Sequence, residues 1–246
     1  MTTVAVAGAL GRMGRAACVA VAAQPDLSLA GGIAREHVGE ALAPLLGVSG
    51  DAGRIAESVE ALCLVAKPDV LVDFTVYPAT VAIANAAVDA GIATVVGATG
   101  WTAAELDSLR ERCERTGTPA CVVPNFALGA ALMMRFAEQA AALFPTVEII
   151  ELHHDQKRDA PSGTARLSAE RITRAGGPAA VPIHSVRLRG LVAHQEILFG
   201  GTGEVLTIRH DSLSRESFMG GVLLAVRGIG GRKGLTVGLD SFLDSE

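Results

Sequence analysis

Short apolar runs that stop at glycine or proline recur through the first half of the chain. Each is followed by a longer stretch in which apolar residues return every three or four positions. The first run, TVAVAG from Thr3 to Gly8, precedes a segment with Met13, Ala17 and Ala20 at i, i+4 and i+7, the spacing of one helix face. A second run, LSLAGGI from Leu27 to Ile33, follows at the separation of a βαβ unit. DVLVDFT, ATVVG and PACVVP repeat the theme, with helical stretches after Pro78 and after Thr102. Continuous apolar strands alternating with helices predict a parallel sheet covered on both faces.

Near Asn125 the pattern changes. Leu132, Phe136, Ala140 and Leu143 mark one face of a helix leading into the strand VEIIELHH; a short helix is expected after Thr164, then strand-like runs at IHSVRL, AHQEILFG and EVLTIRH. From Ser217, SFMGGVLLAVRGI returns to helical spacing and is expected to pack back on the first domain. The predicted fold class is therefore α/β: a Rossmann-like dinucleotide-binding domain over 1–124 and 216–246, interrupted by an α+β insert over 125–215.

Composition narrows the function classes. Half of the 246 residues are hydrophobic, enough for a sizeable core, and the net charge of −5 with no long Lys/Arg block argues against nucleic acid as partner. No apolar run approaches the ~18 residues of a membrane span, and the N-terminal MTTVAVAGALGRMG lacks the layout of a secretory signal. Cys18, Cys63, Cys113 and Cys121 form no C-x-x-C pair and read as reduced core thiols, so a cytoplasmic protein is expected.

The first candidate chemistry sits in GALGRMG, with glycines at 8, 11 and 14 between the first strand and the first helix. Small residues there let backbone N–H groups approach a pyrophosphate at a helix start. The spacing is G-x-x-G-x-x-G rather than G-x-G-x-x-G, and Arg12 at the mouth of the turn adds a guanidinium suited to bidentate phosphate contact. After the second strand, GGIAREH places Ala34 where NAD binders carry an acid, followed by Arg35, which with Arg12 can grip a 2′-phosphate. This favours NADPH, while Glu36 keeps NADH in play.

The second lies in ELHHDQKRDAPSGTA, Glu151 to Ala165. Adjacent His153 and His154 at a strand end point to opposite sides, so they need not share a role. Histidine moves protons near neutral pH, and Lys157, with Asp159 to hold it, can neutralise or protonate an electron-rich intermediate. Pro161, Ser162, Gly163 and Thr164 read as a helix start: Ala165, Ala169 and Ile172 share a face, and Ser162 or Thr164 can cap the first turn. Its amides attract carboxylates. No metal site is expected, because adjacent strand histidines diverge and no cysteine is near. Ser162 lacks the G-x-S-x-G setting of a hydrolase nucleophile.

HHDQKRDAPSGTA resembles the H-H-x-x-K-x-D-A-P-S-G-T-A signature of the dihydrodipicolinate (4-hydroxy-tetrahydrodipicolinate) reductase family. GALGRMG, VDFT, VGATGW, VPNFALGAALMM and GLVAHQEILFGGTGEVLTIRHDSLSRESF extend the resemblance from the first strand to beyond Phe218. The resemblance implies NAD(P)H-dependent reduction of 4-hydroxy-tetrahydrodipicolinate, a small cyclic dicarboxylate, to tetrahydrodipicolinate in the diaminopimelate route to lysine, in a cleft between domains. It implies His153 as acid/base, Lys157 as proton donor, and His154, Gly163 and Thr164 as substrate contacts. It implies nucleotide contacts at Gly8, Ala9, Leu10, Gly11, Arg12, Met13 and Arg35, at Gly97, Ala98 and Thr99, and at Val123, Pro124, Asn125 and Phe126. The insert would then bind substrate and assemble a homotetramer. Ala98 stands where the family commonly has threonine, so a hydroxyl there is not essential. The competing readings are a related dehydrogenase of another small imine or acid, which the HHxxK and SGT segments argue against, and a non-catalytic nucleotide-sensing paralogue. The arginine pair predicts a lower KM for NADPH than for NADH; separate titrations giving equal or reversed values would remove that inference.

Overall fold

Two units organise the chain in the computed structural model, which describes residues 1–244. The first comprises Met1–Pro124 and the segment from Met219 onward; the second is Asn125–Phe218. The second unit thus runs past the expected limit at 215, because the 3-10 turn Arg215–Phe218 is tied to Ser214 through its carbonyl and hydroxyl.

The first unit runs β1 (Thr2–Ala7), α1 (Arg12–Ala22), β2 (Leu27–Ile33), α2 (Leu42–Leu46), β3 (Arg54–Ala56), α3 (Val59–Val65), β4 (Val70–Asp73), α4 (Ala79–Asp89), β5 (Ala93–Val96), α5 (Ala103–Thr116) and β6 (Ala120–Val122). The second unit supplies α6 (Leu128–Ala141), β7 (Thr146–His153), α7 (Gly163–Arg174), β8 (Ile183–Arg187), β9 (Ala193–Gly201) and β10 (Glu204–Ser212). The chain then returns to the first unit with α8 (Met219–Ile229), β11 (Leu235–Val237) and α9 (Asp240–Leu243).

The first unit's seven strands pair in parallel in the order β11-β6-β5-β4-β1-β2-β3. The order reverses at β1, and open α/β sheets bind ligands outside the carboxyl ends of the strands at such a reversal. Strands β1 and β4 are buried over most of their length, in keeping with a sheet covered on both faces. The row of α1 that faces the sheet is Gly14, Ala17, Cys18 and Val21, with Met13 and Ala20 half-buried at its margin. The turn between β1 and α1 is crowded. Gly8 has φ +74°, and a Cβ there would lie 2.9 Å from the Phe74 carbonyl oxygen, at the end of β4. A Cβ on Gly14 would lie 2.0 Å from the Gly8 carbonyl oxygen, so only glycine lets the helix start this close to the strand.

In the second unit β7 pairs in parallel with β8, through the α7 crossover, and antiparallel with β9, which pairs with β10. Helices α6 and α7 cover one face, over a core that includes Met133, Ala137, Ile149, Ile172, Ile197 and Phe199. Here the expected helix face is corrected: Leu132, Phe136 and Leu143 are exposed, and α6 buries Ala130, Met133, Met134, Ala137, Ala140 and Ala141. Apolar residues nearly encircle this helix, so spacing does not select a face, and the side rich in alanine can lie closer to the sheet. Among the described residues no helix is long and apolar enough to cross a membrane.

Gly14→Ala is expected to cost about 1–3 kcal/mol, because the methyl group meets backbone rather than a side chain that can move. Urea unfolding checks this, and an unchanged midpoint would mean that α1 can shift away without penalty.

Candidate active site

The glycine turn leaves backbone donors unused. Gly11 is the N-cap of α1 and makes no side-chain cap; its own N–H goes to the Gly8 carbonyl, and helical bonding begins at Arg15. The amides of Arg12, Met13 and Gly14 therefore have no partner among the described residues, as the first turn of an uncapped helix requires. Arg15 braces the turn, with Nε donating to the Leu10 carbonyl at 3.0 Å and Nη1 to the Leu45 carbonyl at 2.7 Å. Arg12 and Arg35 are both exposed, and Ala34, where an acid would sit, is half-buried.

The flanking loop is fixed from within. Asp73, at the end of β4, is fully buried; Oδ1 accepts from the Thr75 N–H at 2.7 Å and Oδ2 from the Thr80 hydroxyl at 2.6 Å. Burial pushes its carboxyl up against those two bonds. Gly97 follows β5 and donates to the Asp73 carbonyl at 2.8 Å, while Val123 follows β6 and donates to the Val96 carbonyl at 2.8 Å. Gly8–Met13, Gly97–Thr99 and Val123–Pro124 thus stand at the carboxyl ends of β1, β5 and β6. Asn125 and Phe126 belong to the second unit, where the Asn125 amide donates to the Thr164 hydroxyl at 3.3 Å.

Along β7, Val147, Ile149, Glu151 and His153 share the helix-covered face, because strand side chains alternate. The first three are buried and His153 is half-buried; His154, beyond the strand, is exposed. The two histidines accordingly have different surroundings. His153 Nδ1 lies 2.5 Å from Glu151 Oε2. Glu151 also receives Arg187 through both Nη atoms at 2.8 Å and the Ser162 N–H at 3.1 Å. Burial lowers the His153 pKa, opposed by Glu151 and reinforced by the charges of Lys157 and Arg187. Lys157 Nζ bridges both oxygens of Asp159 at 2.8 and 2.9 Å, and its hydrogen bond holds that carboxyl below the ordinary 3.8.

Helix α7 begins at Gly163, and Ser162 rather than Thr164 caps it, its Oγ accepting the Ala165 N–H at 3.1 Å. Arg166 N–H returns to the Ser162 carbonyl, and the Ser162 N–H is taken by Glu151. The Gly163 and Thr164 amides are the ones left without a partner among the described residues. A Cβ at Gly163 would have nothing within 4 Å, so a ligand can come right up to the backbone there.

Glu151 and Arg187 escape a reading of the sequence. Glu151 heads the polar motif but falls at an inward strand position where an apolar residue is the ordinary occupant, and Arg187 sits in IHSVRL, far from the motif in sequence. A carboxylate in a strand's buried row is the one signal that could have found them, since buried charges require partners. Among the described residues no group of three His, Cys, Asp or Glu converges as a metal would need. Cys18 and Cys121 are buried thiols that burial pushes up to about 12, which leaves them unreactive.

Comparison with known proteins covers nearly the whole chain. Residues 2–126 match the family model described as dihydrodipicolinate reductase, N-terminus, and residues 129–243 the one described as dihydrodipicolinate reductase, C-terminus. A 4-hydroxy-tetrahydrodipicolinate reductase of Moorella thermoacetica is 45% identical over 260 residues, covering 98% of this chain and 97% of the relative. One from Nocardia farcinica is 47% identical over 264 residues, covering 98% of each. Among solved structures, a dipicolinate-bound dihydrodipicolinate reductase from Paenisporosarcina sp. TG-14 matches with a TM-score of 0.85 at 37% identity, over 98% of this chain and 99% of that one.

The polar cluster predicts that the protein loses stability in acid. Burial alone raises the Glu151 carboxyl, but hydrogen bonds from Arg187, Ser185 and His153 outweigh it and hold it at about 2 rather than 4.5. A carboxyl lowered on folding contributes stability that is complete above its unfolded pKa and is lost as pH falls toward the folded one. His153, lowered from 6.5, acts in the same direction over its own window. Stability measured by urea unfolding should therefore fall from pH 6.5 downward and more steeply below 4.5. Glu151→Gln should flatten the steeper limb, and an unaltered limb would place the acid sensitivity elsewhere.

Proposed function

The chain belongs to the dihydrodipicolinate reductase family, and from that membership we propose a division of labour among its residues. The reaction is the NAD(P)H-dependent reduction of 4-hydroxy-tetrahydrodipicolinate to tetrahydrodipicolinate, with loss of water, in lysine biosynthesis. The nucleotide fits the first unit: the unpartnered amides of Arg12, Met13 and Gly14 suit a pyrophosphate, and the glycines at 8 and 14 let α1 start against the end of β1, where those amides stand. When bound, the nicotinamide supplies a hydride. NADPH is our first choice, because exposed Arg12 and Arg35 offer two guanidinium groups to a 2′-phosphate and Ala34 puts no carboxylate in its way.

The remaining chemistry falls to the motif around Lys157. Hydride addition to a conjugated imine produces an electron-rich enamine that needs a proton, and Lys157, oriented by Asp159, donates it. His153 serves as acid/base. The Gly163 and Thr164 amides hold one substrate carboxylate, and exposed His154 contacts the substrate. The observation that carries this reading is one short segment presenting both an oriented ammonium and a helix start with two unused amides, which are the needs of an anionic, proton-accepting ligand. We further read the working form as a homotetramer assembled through the four-stranded sheet, whose uncovered face carries half-buried Ile150, Leu152, Val186 and Leu198.

Lys157→Ala is expected to lower turnover by about two to four orders of magnitude, the usual worth of a positioned acid/base group. NADPH oxidation in a coupled assay with freshly made substrate measures it. Unchanged turnover in a folded variant would remove the proton-donor assignment.

A further inference from the structure

We propose that Glu151 is a positioning residue for His153, and that its pairing with Arg187 ties that histidine to both the proton-donor loop and the start of α7. The proposal rests on the reductase reading of the same site.

Glu151 has no exposed surface, and besides the Ser185 side chain its two oxygens meet four N–H donors. Oε2 accepts from His153 Nδ1 at 2.5 Å and Arg187 Nη1 at 2.8 Å; Oε1 accepts from Arg187 Nη2 at 2.8 Å and the Ser162 N–H at 3.1 Å. An ionised carboxylate only accepts, so the proton of a neutral His153 ring must sit on Nδ1. Nε2 then keeps its lone pair and is the nitrogen through which the ring takes up and returns a proton. A glutamate kept ionised by Arg187 thus decides which tautomer of His153 is present. The groups that face this ring with charge are Glu151, Lys157 and Arg187.

Arg187 extends the arrangement. Besides its two bonds to Glu151, Nη2 donates to the Asp159 carbonyl at 2.7 Å, and the Asp159 side chain holds Lys157. Ser162, whose amide Glu151 binds, caps α7 immediately before Gly163 and Thr164. A single buried ion pair therefore sets the ring of His153, the backbone that carries the lysine's anchor, and the helix start. A glutamate acting as a core brace would account for the Arg187 bonds, but not for a 2.5 Å bond to the ring nitrogen of a half-buried histidine.

The test is nitrogen NMR of the full-length enzyme labelled at its histidine rings, without substrate, alongside steady-state kinetics. In the unmodified protein His153 should carry its proton on Nδ1 with Nε2 bare; a proton on Nε2 overturns the proposal without any variant being made. In Glu151→Gln, whose amide can donate as well as accept, the fixed tautomer should be lost, and kcat should fall by about 10²-fold. The KM values for substrate and nucleotide should stay within about threefold. In a His153→Ala background the same change should cost less than about threefold, because the glutamine carbonyl still accepts from the Ser162 N–H and Arg187 while the ring that Glu151 orients is gone. An equal loss in both backgrounds overturns the proposal. Should Glu151→Gln fail to fold, Glu151→Gln/Arg187→Gln removes the unpaired buried charge and is read on the ring alone: the fixed Nδ1 proton should be lost, and a tautomer unchanged from the unmodified protein overturns the proposal. If the tautomer is as expected but the enzyme reduces no 4-hydroxy-tetrahydrodipicolinate, the reductase reading fails and the positioning of His153 by Glu151 stands.

Discussion

A carboxylate sealed inside the second unit constrains everything around it. Moving Glu151 out of water is costly, and the cost is offset only if its lone pairs are filled and its charge is met. Arg187 meets the charge, and His153 and the Ser162 amide complete the set. Removing Arg187 would strand an uncompensated anion, the situation that makes a broken buried pair cost several kcal/mol. Each partner is thereby held in one geometry, and each partner is also the anchor of a segment that carries chemistry. The ion pair contributes definition of place more than net stability.

Both proposed anion sites rest on helix amides left uncapped. At α1 the N-cap is Gly11, which has no side chain to offer, and three amides stay open. At α7 Ser162 caps only the third helical residue, while its own amide is occupied by Glu151, so the open pair is confined to Gly163 and Thr164. Each helix start thus leaves for a ligand the donors that a stability-optimised cap would have consumed. The two solutions differ in selectivity. Three open amides at the glycine turn suit an extended pyrophosphate, whereas the two open amides at α7 suit a compact carboxylate.

Much of this was legible in the sequence, and the failures have physical causes. Apolar runs punctuated by glycine or proline located β1, β2, β4, β5 and β6, since a parallel sheet buried on both faces has no other way to read. Strands β3 and β11 hold three residues each and lie outside any longer apolar run, whereas the equally short β6 is embedded in PACVVP. The outward side of α6 was mistaken for its core side because Leu132 and Phe136 are larger than the alanines that pack. Of the proposed site, His153, Lys157, Gly163 and Thr164 stand in the sequence as one local string. Glu151 was hidden by its position in a strand's apolar row, and Arg187 by its distance along the chain.

That distance is closed by register. Strands β7 and β8 pair in parallel with His153 opposite Arg187 and Glu151 opposite Ser185, so Arg187 is diagonal to Glu151 on the same face. Diagonal neighbours in a sheet lie within reach of a long side chain, and the guanidinium covers that step to grip the carboxylate with both terminal nitrogens. A slip of one residue would turn Arg187 to the opposite face and leave Glu151 buried without a counter-charge. The parallel pairing in turn requires the α7 crossover, whose first residues hold the open amides of Gly163 and Thr164. The connection that brings Arg187 into register is therefore the same piece of chain that presents the open amides proposed for a carboxylate, so the fold cannot form one without the other.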